Sequence, residues 1–256
     1  MNPGSRPYAL SIAGFDPSGG AGILADIKAF EANGVYGLGV VSALTWQNDV
    51  EFEKVEWVDY YKIIQQVGIL LRRFDIKYVK IGLIKNAVIL QELISFLKQR
   101  IEEPVIVYDP IMKASAGYAF HQWGEAELKQ TLEHLYCITP NFPEAMQLFG
   151  ADHLHTNLIF HSANVNIYLK GGHADTSKSS DTLFTRQTTY TFANDRLPNG
   201  EKHGSGCVLS SALTARLALG HAIHVAAEHA NKYTYQFLNS NDTLLGYHNP
   251  LTNESN

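Results

Sequence analysis

Residues Tyr8-Ala9-Leu10-Ser11-Ile12-Ala13-Gly14-Phe15-Asp16-Pro17-Ser18-Gly19-Gly20-Ala21-Gly22-Ile23-Leu24-Ala25-Asp26-Ile27-Lys28-Ala29-Phe30-Glu31-Ala32 decide how this chain folds. Tyr8 to Ala13 is a short apolar run that reads as a buried strand. Gly22 to Ala32 has helical periodicity and stops at Asn33-Gly34. Gly39-Val40-Val41-Ser42-Ala43-Leu44 supplies the next strand, so the unit is strand, helix, strand. The alternation continues with a helix from Asp59 to Phe74, a strand from Tyr78 to Ile81, a helix from Asn86 to Gln99 and a strand from Val105 to Tyr108. A helix near Glu125 to His134, a strand at Cys137-Ile138-Thr139, a short helix from Glu144 to Phe149 and a strand from Val165 to Leu169 extend it. Thr182-Leu183-Phe184 and Thr189-Tyr190-Thr191-Phe192 read as a hairpin, and helices from Cys207 to Leu219 and from Ala222 to Leu238 close the pattern. An α/β fold follows, with a mostly parallel central sheet and helices on both faces.

The bulk composition limits what this fold can serve. With 45% apolar and 18% charged residues in 256, the chain is ordinary for a globular protein, and no stretch reads as an interdomain linker, so one domain over 1–256 is expected. Twenty basic against 25 acidic residues give a net charge of −5, which offers no broad basic surface to nucleic acid or anionic lipid. Cys137 and Cys207 are the only cysteines, too few and too far apart for a disulfide framework or a structural zinc site. The eleven histidines form no familiar metal-ligand spacing. The apolar run after Met1 to Pro7 is too short for a signal peptide or membrane span, so the expected location is cytoplasmic. Val50 to Val58 alternates apolar and charged residues, which suits either a small β extension serving as lid or dimer surface or an ordinary edge strand.

In an open parallel sheet, ligands gather at the carboxyl ends of the strands, and here the unusual residues follow predicted strands one after another. After the first strand come the four glycines of Gly14 to Gly22. Gly20-Ala21-Gly22-Ile23-Leu24-Ala25 fits a loose dinucleotide-binding pattern, but Asp16-Pro17-Ser18 interrupt the turn and no acidic residue ends the second strand. The loop also lacks the Lys-Ser/Thr of a P-loop. Thr45-Trp46-Gln47-Asn48-Asp49, read as the loop after the second strand, offers an amide that can donate to and accept from a heteroaromatic ring edge. Asp109-Pro110-Ile111-Met112 and Thr139-Pro140-Asn141-Phe142-Pro143-Glu144 bring two carboxylates and an amide suited to organise magnesium through water, although a proline at a helix start also explains the second motif. Lys170-Gly171-Gly172-His173 places an ammonium and two close-approach glycines after another strand.

The last of these loops is Lys202-His203-Gly204-Ser205-Gly206-Cys207, at the mouth of a predicted helix. The first amides of a helix lack intrahelical partners and lie at the positive end of its dipole, so this turn can cradle an anion or simply cap the helix. A cysteine at such a place is expected to have a lowered pKa, making it a candidate base or nucleophile. Together the loops describe phosphoryl transfer.

These motifs resemble, in order and spacing and over nearly the whole chain, the hydroxymethylpyrimidine/phosphomethylpyrimidine kinases. The resemblance rests on Ser11 to Asp26, Gln47-Asn48, Lys80-Ile81-Gly82, Asp109-Pro110, Thr139-Pro140-Asn141 with Glu144, Lys170 to His173 and His203 to Cys207. It implies the ribokinase-like fold, a three-layer αβα sandwich, and two sequential phosphorylations of the thiamine pyrimidine with ATP and Mg²⁺. It further implies that Gln47 and Asp26 contact the aminopyrimidine, that Ala21, Leu83 and Ile111 line its pocket, and that Asn141, Glu144, Lys170, Gly172 and Asp109 surround ATP phosphates and magnesium, with Asp109 and Glu144 on the metal side. Cys207 then stands at the catalytic position, with Gly204, Ser205 and Gly206 as the anion hole, and a homodimer is implied. Vitamin B6 kinases share the fold and the late motifs, so a pyridoxal or pyridoxamine kinase is the alternative, and a non-catalytic ligand-binding homologue is a third reading. Leu83, where the family often has Met, and Trp46, before Gln47, depart from the usual pattern. Gly150 to Asn164 reads as shorter and less helical than the crossover helix usual there.

Overall fold

The structure is a computed structural model, which describes residues 6–113, 120, 131–171, 178–198 and 200–249. The elements run in the order β1 (Tyr8–Phe15), α1 (Gly22–Ala32), β2 (Tyr36–Gln47), β3 (Phe52–Trp57), α2 (Tyr60–Leu71), β4 (Tyr78–Ile81), α3 (Ala87–Arg100), β5 (Val105–Tyr108), β6 (Cys137–Ile138), α4 (Phe142–Phe149), α5 (Leu154–His161), β7 (Asn166–Leu169), β8 (Lys178–Phe184), β9 (Thr189–Asp195), α6 (Ser205–Ala218) and α7 (Ile223–Leu238). The strands form a nine-stranded sheet in the order β3-β2-β1-β4-β5-β6-β7-β8-β9. From β2 to β7 every neighbouring pair is parallel, and β3, β8 and β9 add antiparallel edges. This is the three-layer ribokinase-like architecture that the resemblance implies.

Strand alternation divides the core into two layers. Leu10 and Ile12 of β1, Val79 and Ile81 of β4, and Ile106 and Tyr108 of β5 point into the layer covered by α2, α3, α4 and α5. The residues between them face α1, α6 and α7: Ala9 packs with Phe30 and Ala215, and Val107 packs with Val208 and Ala212. Helix α6 is buried on nearly all sides, only Ser205, Gly206 and Arg216 escaping, because α1 and α7 flank it and the sheet lies beneath. Its near-absence of charge suits that position.

Two local readings change, and the one left open over 50–58 resolves. Strand β2 continues to Gln47, so Thr45-Trp46-Gln47 is a strand end and not a loop. Past the end of β1 it pairs with β3, Thr45 opposite Val55 and Gln47 opposite Phe52. The 50–58 segment is thereby an antiparallel edge strand. The segment from Gly150 to Asn164 holds a helix, α5, anchored by the buried Leu158 and by Asn157, whose amide donates to the Phe149 carbonyl at 2.8 Å. Of the expected helix near Glu125 to His134, residues 125–130 lie outside the described residues, and Thr131 and Leu132 are helical. No helix among the described residues is long and apolar enough to cross a membrane.

From β1 the chain passes through α1 to β2 on one side, while β4 lies on the other. The order therefore reverses between β1 and β4, and a crevice opens at their carboxyl ends.

Candidate active site

Each chemistry-bearing loop leaves the sheet at this crevice. The first is organised by Asp16, which is fully buried and accepts from the Ser18 and Ala21 amides at 2.9 and 2.8 Å, the Ser18 hydroxyl at 2.8 Å and His203 Nε2 at 2.8 Å. Burial alone would raise this carboxyl, but the bonds from His203, Ala21 and Ser18 hold it below the usual carboxylate range. Gly22 has a positive φ of 59°, and a Cβ there would lie 2.2 Å from the Gly14 carbonyl, so the loop can close onto the helix only with glycine.

The last loop docks on the first. Gly204 caps α6 with a φ of 74°, and a Cβ there would lie 2.1 Å from the Gly20 carbonyl. Neither α1 nor α6 has a side-chain N-cap, in contrast to α2, α3 and α4, which Asp59, Asn86 and Asn141 cap. Their first-turn amides are thus left for other partners. One partner is Cys207, whose sulfur accepts from the Gly22 amide. Its pKa runs against the expected lowering. Burial pushes the thiol up to about 11, and the nearby Lys80 only partly opposes this because Asp26 and Asp109 add negative charge. Cys207 is therefore a protonated thiol at neutral pH.

Two Asp–Lys pairs stand behind the turn. Lys170 Nζ lies 2.9 Å from Asp109 Oδ1, 3.8 Å from Glu144 Oε2, and 3.2 Å from where a Cβ on Gly206 would be. Asp109 also accepts from Thr139 Oγ1 at 3.2 Å and Ser210 Oγ at 3.1 Å. Its burial is outweighed by Lys170 and Lys80, so it stays ionised. Burial and the Asp109 charge hold Glu144 above its ordinary pKa, and Lys170 with the Asn141 and Met112 amides offsets them only in part. Glu144 and Asn141 also share a capping box on α4, Asn141 Oδ1 accepting from the Glu144 amide at 2.9 Å and Glu144 Oε2 from the Asn141 amide at 2.7 Å. Lys170 reaches them because its strand continues in a parallel bridge to Asn141.

The second pair places Asp26 differently from the expected ring contact. Its oxygens are taken by Lys80 at 2.8 Å each, Ser11 at 2.5 Å and Ser211 at 2.7 Å, and neither Asp26 nor Lys80 is exposed to solvent. With no lone pair turned to the crevice, Asp26 serves as the counter-ion of Lys80.

On the other flank, Gln47 Nε2 donates to Thr45 Oγ1 at 2.8 Å, and that hydroxyl donates to the Phe15 carbonyl at 2.8 Å. Gln47, Thr45, Phe15 and Pro17 line a pocket of about 530 Å³, which takes in none of Asp109, Lys170 and Cys207. Leu83 packs over Gly14, 3.0 Å from where a Cβ would stand, and its carbonyl accepts from Ser42. Ala21 and Ile111 are half-buried, the Ile111 amide folding back onto the Asp109 carbonyl. Ser205 and Gly206 open the first turn of α6. Gly172 lies outside the described residues. The structure gives partners to Asp16, Lys80 and Thr139, which the sequence motifs contain without an assigned role, and adds Ser210 and Ser211; all five are buried and polar. Ser210 and Ser211 lie inside an apolar helix and carry no local signal.

The pattern of the phosphomethylpyrimidine kinase family matches residues 16–252. The hydroxymethylpyrimidine/phosphomethylpyrimidine kinase of Escherichia coli (strain K12) is 36% identical over 221 residues, covering 82% of each chain. Among solved structures, phosphomethylpyrimidine kinase from Clostridium difficile 630 superposes with a TM-score of 0.73 at 32% identity, over 90% of this chain and 99% of that one. A Bacillus subtilis pyridoxal kinase in complex with ADP gives 0.74 at 28% identity, over 90% of each. A matched family pattern that begins within the first glycine loop and takes in every strand-end motif after it leaves one conclusion: the chain belongs to the phosphomethylpyrimidine kinase family.

Proposed function

We propose that this kinase transfers the γ-phosphoryl group of ATP to the hydroxymethyl oxygen of 4-amino-5-hydroxymethyl-2-methylpyrimidine, and then a second one to the phosphate of the product, as steps of thiamine biosynthesis. The observation that carries the reading is the Lys170 ammonium, poised between Asp109, Glu144 and Gly206 of the helix-start turn. A phosphoryl transition state is loose, so its stabilisation is mostly positioning and charge compensation. The amides of Gly204, Ser205, Gly206 and Cys207 receive the transferring group, and Lys170 turns toward its oxygens. Gln47 holds the aminopyrimidine edge, with Ala21, Leu83 and Ile111 around the ring. Asn141 and Gly172 lie along the nucleotide phosphates. Cys207, a neutral thiol, orients the accepting hydroxyl.

Among the described residues no group of three or more His, Cys, Asp or Glu could hold a metal ion. Two carboxylates bridged by an ammonium nevertheless fit Mg²⁺, which typically binds through one or two carboxylates, waters and substrate phosphates. Asp109 and Glu144 would hold it, and when bound it neutralises phosphate charge. Trp46 and Leu44 are exposed large apolar residues of β2 that line the same pocket as Gln47, and we assign the homodimer to this edge of the sheet. Light scattering of Trp46→Glu checks it, a monomer being the expected result.

ADP release measured with hydroxymethylpyrimidine and with its monophosphate tests the main reading. Turnover of both is expected, and silence with both in saturating Mg-ATP would overturn it. Running pyridoxal in parallel separates the ring types by kcat/KM. The pyridoxal alternative rests on the equal fold likeness of the two structural relatives.

A further inference from the structure

The Asp16–His203 contact joins residues 187 positions apart and belongs to neither Asp–Lys pair. Both partners are buried, His203 with 4% exposure. The carboxylate that accepts from His203 also accepts from the Ser18 and Ala21 amides, so one group ties the shape of the first glycine loop to the residue before the anion turn. The two loops interlock around this bond. A Cβ on Gly20 would meet His203 Cδ2 at 2.5 Å, one on Gly204 would meet the Gly20 carbonyl at 2.1 Å, and the Gly22 amide reaches the Cys207 sulfur. The rear of the link is held as well. The His203 amide donates to the Leu244 carbonyl at 2.9 Å, and Lys202 Nζ donates to the carbonyls of Asn241 and Thr243 at 2.5 and 2.6 Å. His203 Nδ1, by contrast, is buried with no hydrogen-bond partner among the described residues. A buried ring nitrogen left without a partner costs free energy, so the ring is held for what Nε2 does.

We propose that His203 is a positioning residue for phosphoryl transfer: its Nε2–H bond to Asp16 locks the first glycine loop onto the Gly204–Cys207 turn, so that the two loops form a single phosphate cradle. The amides of the turn must be aimed before the reaction, and a displacement of about 1 Å can cost about 10²-fold in rate. The inference rests on the kinase reading above for its kinetic consequence, but the link itself is a structural statement with its own readout.

Two amide substitutions separate the nitrogens. Gln at position 203 can present its amide where Nε2 stands, whereas Asn reaches only as far as Nδ1. His203→Gln is expected to keep kcat within a few-fold of the parent chain. His203→Asn is expected to lose about 10²-fold in kcat, with KM for the ring compound changed little. Iodoacetamide labelling of Cys207, followed by mass spectrometry against the buried Cys137, is expected to quicken at least tenfold in the Asn variant and not in the Gln variant, because parted loops uncover the sulfur. Equal kcat values and equal labelling rates in the two variants, at any level, overturn the proposal. A parent chain inactive on both pyrimidines, with the labelling contrast intact, would overturn the kinase reading and leave the link standing.

Discussion

Two Asp–Lys pairs built from the same functional groups are served by adjacent serines of α6, yet they differ in what they leave open to solvent. Asp26 and Lys80 are sealed, each with no solvent exposure, and the carboxylate is saturated by the ammonium and two serine hydroxyls. Asp109 is as buried, but Lys170 keeps 15% of its side chain exposed, shares itself with Glu144 and rests against Gly206. A closed pair has nowhere to send its charge and can only hold elements together. An open pair can trade a carboxylate for a phosphate. Desolvation explains the split: an ion taken wholly out of water must be fully paired where it stands, whereas one at a crevice wall keeps an alternative partner. Adjacent residues on α6 serve the two pairs, Ser210 Oγ donating to Asp109 and Ser211 Oγ to Asp26.

The harshest way to break this contrast is Lys80→Met. It strands Asp26 as an uncompensated buried charge, and a loss of about 3–5 kcal/mol in urea unfolding is expected. A loss below about 1 kcal/mol would mean that the pair is not the brace described. Lys170→Met should reverse the pattern, with kcat down about 10²–10³-fold and a smaller stability loss than Lys80→Met, since Thr139, Ser210 and Lys80 still face Asp109. Steady-state rates and denaturation curves on the same samples decide it. The neighbouring serines sharpen the comparison. Ser211→Ala should cost about 1–3 kcal/mol with turnover nearly unchanged, and Ser210→Ala should act mainly on turnover; identical profiles for the two would erase the distinction.

The mildest test uses pH. Cys207 is pushed up to about 11 and Cys137 to about 12, both by burial. Once pH exceeds the thiol's ordinary value near 9, the unfolded chain releases these protons while the folded one keeps them. Stability therefore falls as pH climbs from about 9 toward 11, and Cys207→Ala should flatten part of that fall in a series of thermal melts.

Much of the fold was legible because hydrophobic periodicity is local. Strands β4 and β5 and helix α1 fall where their apolar runs lie. Helix α5 was not, because its apolar residues do not collect on one stripe and what anchors it, Leu158 in the core and Asn157 on the Phe149 carbonyl, comes from outside the segment. The end of β2 was missed for a related reason: Thr45 to Gln47 are strand only because β3 lies beside them. Among the candidate residues, Gln47, Asn141 and Lys170 announced themselves by residue type at or just after a strand, and Cys207 by its place at a helix start. The contact between His203 and Asp16 did not, because a histidine after a lysine and an aspartate before a proline carry no sign of each other.

The sequence by itself determined the order of strands and helices, the family and the set of loops that carry charge and glycine, since each depends on residues close together in the chain. Only the tertiary structure decided which lysine is sealed and which keeps an exposed face, that Asp26 is consumed within the core, and that the Cys207 thiol stays protonated. Those properties depend on burial and on partners many positions away. The free energy of a charge in a protein is set by how much water it loses and what replaces that water, and neither is written in the neighbouring residues.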